Sequence, residues 1–511
     1  MIKRAVGISM AFVGVLVGAG FASGQEAMQY FVSFGEMGLW GVLVAAVLTT
    51  ITGIAVLQLG SYFQANEHTA VYNRVSGPIT SKILDIGTLI TLFSIGFVMF
   101  AGAGSNLAQQ FDGLPIFVGA LIMLLLVLLT GLLNVDKVTA VIGAITPVII
   151  VLIVGVTGYT LLTTDLDVTA AHEYAVNNVD GPLPNWWLSA MNYTGLNIMC
   201  AVSMAIVIGG NILDNRAVGL GGVLGGLTTL LLLALLVSSL FFVAPEVNGT
   251  DLPVLALING INPALGYIMT FAIFGMIFNT AVGMFYAMAK RLTRDKPHLF
   301  YPVYVIACLI GFALSFVGFQ PLVANVYPIL GYIGILMIAV MSFAWFKNRN
   351  NVKTETDRRL RARKLVSRKF DPRKRFTKKN ERELAKLANE SNMATPEFVE
   401  VVSDEVLDEL ESDAELEDFD REDPAPSVTY VQHTKPVIPA IDEADTTSAV
   451  PATAAASDAN AETATGGNAA PANAPVGNPD SAVDAAAAPT TTPDADLDFG
   501  GSEESNATQK S

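Results

Sequence analysis

As far as Phe346 the sequence is a succession of long apolar runs parted by short polar breaks, and beyond it such runs almost vanish. A helix needs ~20 apolar residues to cross the hydrocarbon core of a bilayer. That length predicts ten membrane-spanning helices, near 5–34, 38–59, 81–104, 115–133, 137–162, 186–213, 217–244, 263–292, 299–318 and 322–346. Their spacing is itself patterned. The second to fifth spans have centres near 48, 93, 124 and 149, and these return about 182–185 residues later in the seventh to tenth, near 230, 278, 309 and 334. The first and sixth spans each run to about 30 residues, roughly 45 Å of helix, too long for one straight crossing. An odd number of spans per unit starts the second copy on the opposite side of the membrane. Five plus five therefore predicts inverted repeats. The expected fold class is all-α integral membrane: ten transmembrane helices in two inverted five-helix repeats, with helices 1 and 6 broken.

Charge orients these spans. With the N-terminus on the cytoplasmic side, the inner loops and span ends hold Lys3, Arg4, Arg74, Lys82, Lys137, Arg216, Lys290, Arg291, Arg294 and Lys296, all ten basic residues of the apolar part. The outer connections have none and carry Asp165, Asp167, Asp180, Glu246 and Asp251. This is the positive-inside pattern, and Trp40, Trp186, Trp187 and Trp345 fall at span ends as an aromatic belt requires. The expected location is a cytoplasmic (plasma) membrane, with both termini in the cytoplasm. Lys3 and Arg4 before an apolar run resemble the start of a signal peptide. The run continues into QEAMQYFVSF, so it is read as a retained first span.

Composition adds two exclusions. At 52% hydrophobic and 15% charged, the chain is too apolar for a soluble protein of this length. Cys200 and Cys308 each lie within an apolar run with no CxxC and no adjacent histidine, which excludes a disulfide framework or a zinc site. No metal site is expected. His68, His172, His298 and His433 all fall in predicted loops or the tail, and there is no GxxxxGK[ST] loop, so neither an enzyme nor an ATP-driven pump is expected.

The candidate chemistry lies in polar groups at mid-span depth, where an unpaired polar group costs several kcal/mol. In VGAGFASGQE, residues 17–26, Gly18, Gly20 and Gly24 each lower helix propensity by ~1 kcal/mol relative to alanine. Ser23, Gln25 and Glu26 supply partners for backbone groups that a break would release, and intramembrane carboxylates mark ion or substrate paths. The alternative is a glycine packing face with Glu26 near the outer boundary. In the sixth span Asn192, Tyr193, Thr194 and Asn197 surround Gly195, with Ser203 further in. Paired breaks could meet an anionic group with half-helix N-termini and a cation with freed carbonyls, whereas hydrogen bonds serving packing alone are the plainer reading. The eighth span offers Asn279 and Thr280 as oxygen ligands for a monovalent cation, the third Ser94, and the tenth Asn325 and Tyr327. Asp85 lies close to Lys82 at the inner end of the third span, where pairing or snorkelling is the simpler reading.

VGAGFASGQE, with YTGLN in the sixth span and FNT in the eighth, resembles the YkvI-type family of bacterial membrane proteins, within the amino acid–polyamine–organocation superfamily. More distantly the pattern is similar to sodium-coupled transporters of the LeuT fold. The resemblance covers about residues 3–346. It implies a substrate held between the two breaks, near Gly18, Gly20, Ser23, Ser94, Tyr193, Thr194, Gly195 and Asn197. It also implies a sodium site from carbonyls around Gly14 and Val17 with Thr280 and Asn279. Asn279-Thr280 replaces the adjacent hydroxyl pair of the sodium transporters, and Glu26 makes protons the competing coupling ion.

Three regions are expected: a membrane transporter domain over 1–346, a basic juxtamembrane segment over 347–396, and an acidic then Ala/Pro/Thr-rich disordered tail over 397–511. Residues 347–386 hold 17 Lys/Arg against 5 Asp/Glu, a cluster suited to anionic lipids or to anchoring the topology. The acidic stretch 397–423 is a partner for it. The net charge of −16 resides mostly in the region beyond 346 and says little about a substrate. The expected function is secondary active transport of a small organic solute, an amino acid or related compound, driven by sodium or protons. The partners are then that solute, the coupling cation and anionic lipids, with no nucleic acid and no organic cofactor. The alternative is a sensor or scaffold of transporter fold that acts through its tail.

Overall fold

A computed structural model describes residues 2–132, 145–371, 373–411 and 416, and all regular elements among them are helical. The first apolar run is divided into α1 (Ile2–Leu16), α2 (Ala19–Ser23) and α3 (Gln25–Tyr30). There follow α4 (Glu36–Phe63), the short α5 (His68–Val75), α6 (Pro78–Gln110) and α7 (Ile116–Thr130). The start of the expected fifth span lies outside the described residues, and α8 (Ile145–Thr163) and α9 (Val168–Asn178) come next. The chain continues through α10 (Trp186–Gly210), α11 (Asn215–Phe242), α12 (Ala244–Val247), α13 (Pro253–Ile261), α14 (Pro263–Leu292) and α15 (Phe300–Ser315). It ends, among the described residues, with α16 (Phe319–Phe370), α17 (Lys378–Glu390) and α18 (Thr395–Glu411). Seven of these helices are long and apolar enough to cross a membrane, and two further apolar helices are shorter.

The long helices pack in two groups. In one, α4 lies against α10 and α11, and α1 against α11; in the other, α6 lies against α7, α14 and α15. Small residues permit the close crossings, as is usual where helices meet without a hydrophobic drive to associate. A Cβ at Gly60 would overlap the Ile206 carbonyl, and one at Gly209 the Leu57 carbonyl, so α4 and α10 touch backbone to backbone.

The sixth span corrects the expectation of a second break. Trp186–Gly210 is one uninterrupted helix. Its polar residues serve that helix, with Thr194 Oγ1 donating to Ala190 O (2.9 Å) and Asn197 Nδ2 to Tyr193 O (3.0 Å). Gly195 serves contact rather than unwinding. A Cβ there would stand 2.5 Å from the Gly331 carbonyl oxygen, and one at Gly334 would overlap Gly195 O. A second expectation also fails. Lys82 is exposed, and Asp85 pairs instead with Arg291 Nη2 of α14 (3.0 Å). His68, expected in a loop, opens α5, shares a hydrogen bond with Ser203 Oγ (3.0 Å) and has Nε2 3.5 Å from Asp85. Burial lowers its pKa against the opposing pull of Asp85, which favours a neutral imidazole.

The last helix does not stop at 346. α16 runs on to Phe370, and α17 and α18 fold back on its far end around Leu365, Val366, Leu384, Phe398 and Val402. One arginine joins this layer to the apolar helices. Arg359, buried with Glu355 (3.1 Å), donates to Ser61 O (2.7 Å), which also accepts from Gln64 N–H, and to Tyr62 O (2.8 Å), both carbonyls of the last turn of α4. Asn392 Nδ2 also donates to Tyr62 O (2.7 Å). Arg4 of α1 pairs with Glu405 of α18, Arg363 of α16 with Glu409 (2.6 Å), and Arg361 with Glu383 (2.6 Å). The Ala/Pro/Thr-rich tail lies outside the described residues.

Two outcomes follow from this packing. Gly195→Ala forces a Cβ onto a backbone carbonyl that cannot yield, and overpacking of this kind costs about 1–3 kcal/mol. The thermal midpoint of the purified variant should fall; an unchanged midpoint would mean that α10 and α16 separate freely. Arg359→Ala leaves Glu355 with Arg358 and Ser391 but removes the charged donors to the Ser61 and Tyr62 carbonyls, a loss of about 1.5–3 kcal/mol for hydrogen bonds to a charged group. Limited proteolysis should then cut between 347 and 411 well before it cuts the wild type.

Candidate functional site

The site begins where the first apolar run fails to stay helical. Gly18 N–H donates to Leu16 O (2.9 Å) instead of reaching back to Gly14 O, and Gly18 is extended (φ −92°, ψ −171°), so α1 ends. After α2 the chain turns again at Gly24, whose φ of +78° is a conformation that favours glycine. A Cβ there would also meet Val254 Cγ2 at 2.7 Å. Ser23 ties the second turn together, since its Oγ donates to Gly20 O (2.7 Å) and accepts from Gln25 N (3.2 Å). Residues 17–26 are therefore not a weak helix but two turns, at Gly18 and Gly24, on either side of the short α2.

These turns bring Glu26 back over Gly20. The carboxylate rests so close to the Gly20 Cα that a Cβ on that residue would overlap Oε1. Glu26 is 7% exposed, and among the described residues no hydrogen bond or ion pair joins its carboxylate to another side chain. Tyr30 stands one turn beyond Glu26 on α3, and Tyr193 of α10 packs against Tyr30. These rings are fixed by their own contacts. Tyr30 and Tyr193 have centroids 5.9 Å apart, and Phe31 meets Tyr193 edge-on at 4.9 Å. Tyr30 OH donates to Asn192 Oδ1 (3.3 Å), Asn192 Nδ2 to Pro328 O (2.8 Å), and Ser189 Oγ to Tyr30 O (2.7 Å), so α3, α10 and α16 share one polar seam.

Gln25, the residue before Glu26, lines a cavity of about 410 Å³. Gln25, Gln29, Asn178, Asp180, Thr250 and Gln320 are among the residues lining it. Gln29 is 5% exposed; its Nε2 reaches Gln320 O (3.4 Å) while its Oε1 has no hydrogen-bond partner.

The residues expected from the sequence fall into three sets. Gly18, Gly20, Ser23, Glu26 and Tyr193 converge on the break. Thr194, Gly195 and Asn197 are engaged in α10 and its contact with α16, and Ser94 is buried on α6. The ion-site residues are divided: Gly14 and Val17 lie at the end of α1, which packs on α10 and α11, whereas Asn279 and Thr280 lie on α14. Thr280 Oγ1 donates to Met276 O (2.9 Å), and Asn279 Oδ1 is buried without a partner. Sequence reasoning missed Tyr30, Gln29 and the loop residues of the cavity. Tyr30 was findable, because four residues after Glu26 on one helix is the same face. The loop residues carried no local signal.

No protein-family model matches the chain. It is 24% identical over 335 residues to an uncharacterized membrane protein, YkvI, of Bacillus subtilis (strain 168), an alignment spanning 65% of this chain and 94% of YkvI. It is also 24% identical over 340 residues to an uncharacterized protein, YyaD, of the same organism, again 65% and 94%. Among solved structures it resembles MhsT in complex with L-phenylalanine, with a TM-score of 0.50 at 13% identity over 78% of this chain and 97% of that one. It also matches the inward-facing conformation of Mhp1, with a TM-score of 0.46 at 14% identity over 68% and 76%. The chain is thus a homologue of the Bacillus subtilis YkvI and YyaD proteins, with the helical fold of LeuT-type membrane proteins.

Proposed function

We propose that the chain is a secondary active transporter of a small organic solute, an amino acid or a related compound, coupled to sodium or protons by alternating access. The observation that carries this reading is the buried Glu26 carboxylate in a first helix broken at Gly18 and Gly24. Irregular backbone at membrane depth is tolerated where it is buried in protein or lines a cavity, and intramembrane carboxylates mark ion and substrate paths. The fold shared with MhsT, a structure solved with L-phenylalanine, supports the solute class. The two packing groups of long helices support a moving bundle of spans 1, 2, 6 and 7 against a scaffold of spans 3, 4, 8 and 9. On this reading the ten spans form two inverted repeats in a bacterial plasma membrane, the termini are cytoplasmic, and the basic segment 347–386 meets anionic lipids.

In the proposed cycle the solute binds at the first-helix break, near Gly18, Gly20 and Tyr193. A coupling cation is held by carbonyls near Gly14 and Val17 with Thr280 and Asn279 when α1 and α14 approach. Glu26 is the proton-coupling group if protons drive the cycle.

Uptake by proteoliposomes under imposed sodium and proton gradients tests these assignments. Glu26→Gln should lower gradient-driven uptake at least tenfold; normal uptake with normal ion dependence would remove Glu26 from the cycle. Thr280→Ala should weaken the dependence on the driving cation while leaving gradient-free exchange of solute in place. An unchanged response to sodium and to pH would sink the Thr280 site.

A further inference from the structure

We infer that the basic end of the helices holds one anionic phospholipid at a fixed place, a cavity between α4, α11 and α16 whose Arg216, Arg349 and Lys353 take the lipid phosphate. The site is separate from the break in the first helix and does not depend on which solute is carried.

The cavity measures about 340 Å³. Its charged lining is Arg216, Arg349 and Lys353, with no acidic side chain. Arg216 Nη2 pairs with Asp357, which lies outside the lining, so the surplus positive charge rests on Arg349 and Lys353. Three helices build the frame. Trp345 Nε1 of α16 donates to Gln58 Oε1 of α4 (2.7 Å), and Gln58 Nε2 donates to Asn215 O at the start of α11 (3.0 Å). Arg349 is held over the ring of Phe346, 4.7 Å from its centroid. Asn215 also lines the cavity; it is 2% exposed, and its Oδ1 is buried without a hydrogen-bond partner. Buried polar atoms are normally paired, so this acceptor calls for a donor from outside the chain. The lining thus offers cations for a phosphate and an acceptor for a hydroxyl beside it. Asn215 and Arg216 lie outside the basic segment 347–386, which makes the site more than diffuse attraction to that segment.

The surface leading to the cavity identifies the phosphate as a lipid's. On α16 the face runs Phe343, Phe346, Arg349, Lys353 at helical spacing, and the two rings are 70% and 59% exposed. On α4 the exposed Val47 and Ile51 precede Gln58 on one face, and on α11 the exposed Leu227 lies about three turns beyond Arg216. Exposed side chains therefore change from apolar to cationic at one level, and Trp345 stands there as interfacial tryptophans do. Acyl chains against the apolar face put a phosphodiester at the mouth of the cavity, and basic pockets between membrane helices are sites for anionic headgroups. The free hydroxyls of a phosphatidylglycerol headgroup would satisfy Asn215 Oδ1 while its phosphate meets Arg349 and Lys353.

Lipid titrations of the full-length protein test the assignment, read as thermal midpoint and as lipid retained in native mass spectrometry. Phosphatidylglycerol is compared with phosphatidylmethanol, an anionic phosphodiester without a hydroxyl, with zwitterionic phosphatidylcholine and with soluble glycerol 1-phosphate. The expected result is one phosphatidylglycerol retained per chain, at least threefold tighter than phosphatidylmethanol and tenfold tighter than phosphatidylcholine, and weakened by salt. Arg349→Gln with Lys353→Gln should lower that affinity at least fivefold. Arg375→Gln with Arg382→Gln, which removes equal charge outside the cavity, should leave it in place. All four side chains are exposed, so the midpoints of both variants in phosphatidylcholine should match the wild type. Asn215→Ala should bring phosphatidylglycerol down to the level of phosphatidylmethanol; an unchanged preference overturns the hydroxyl contact. Equal losses in the two charge pairs overturn the site in favour of adhesion along the whole segment. Glycerol 1-phosphate that stabilises as well as the lipid overturns the lipid and leaves a soluble-phosphate site. Equal binding of phosphatidylglycerol and phosphatidylcholine overturns the inference outright. Each of these failures leaves the transporter reading standing, because solute uptake is measured separately.

Discussion

The contact on which the site depends is that of the Glu26 carboxylate with the bare backbone of Gly20. In a continuous helix, residues six apart are separated by about 9 Å along the axis and point in different directions. Two interruptions remove that separation. Gly18 ends α1, and Gly24, in a left-handed conformation, turns α3 so that its first acidic residue folds back over α2. The three glycines contribute differently, since Gly18 releases the chain, Gly20 makes room and Gly24 reverses the direction. Ser23 then satisfies backbone groups on both sides of the second turn.

That arrangement was legible because glycines, a serine and a carboxylate within ten residues contradict an ordinary membrane helix. The sixth span shows the limit of the same reasoning. Glycine among polar residues is equally the signature of a break and of a close crossing, and its own neighbours in sequence do not distinguish them. The deciding partners, Gly331 and Gly334, lie on α16. Their backbone fills the space at Gly195, and Thr194 and Asn197 have carbonyls of their own helix four residues back to bond. Nothing local in YTGLN records either fact. The same holds for the ion-site residues, since which helices approach α1 is a property of the packed bundle and not of Gly14 or Thr280.

Charge blocks beyond 346 announced that basic and acidic segments would meet. They did not reveal where the meeting is anchored. Arg359 adds charged donors to the Ser61 and Tyr62 carbonyls in the last turn of α4, and it does so from a helix that begins inside the apolar domain. Arg4 draws α1 to the same layer through Glu405. The juxtamembrane helices are therefore bonded to the same ends of α1 and α4, two members of one packing group. Any rotation of that group against α6, α7, α14 and α15 must carry these helices with it or break the arginine contacts.

Such a constraint bears on why an unpaired carboxylate is tolerated. Left permanently charged and dry, Glu26 would cost several kcal/mol that nothing around it returns. The glycine turns at Gly18 and Gly24 precede it, and its neighbour Gln25 lines a cavity, so in the proposed transport cycle that cost would depend on what the site holds. In that cycle a cation bound at Glu26 would lower the cost, and its departure would restore it. Because α1, on the near side of the break, is tied to the arginine-linked layer, a change of occupancy at Glu26 in the proposed cycle would act on a helix that ends in the break and is anchored at its other end. Coupling between binding and movement then needs no long relay of side chains, only a break whose two pieces differ in what restrains them.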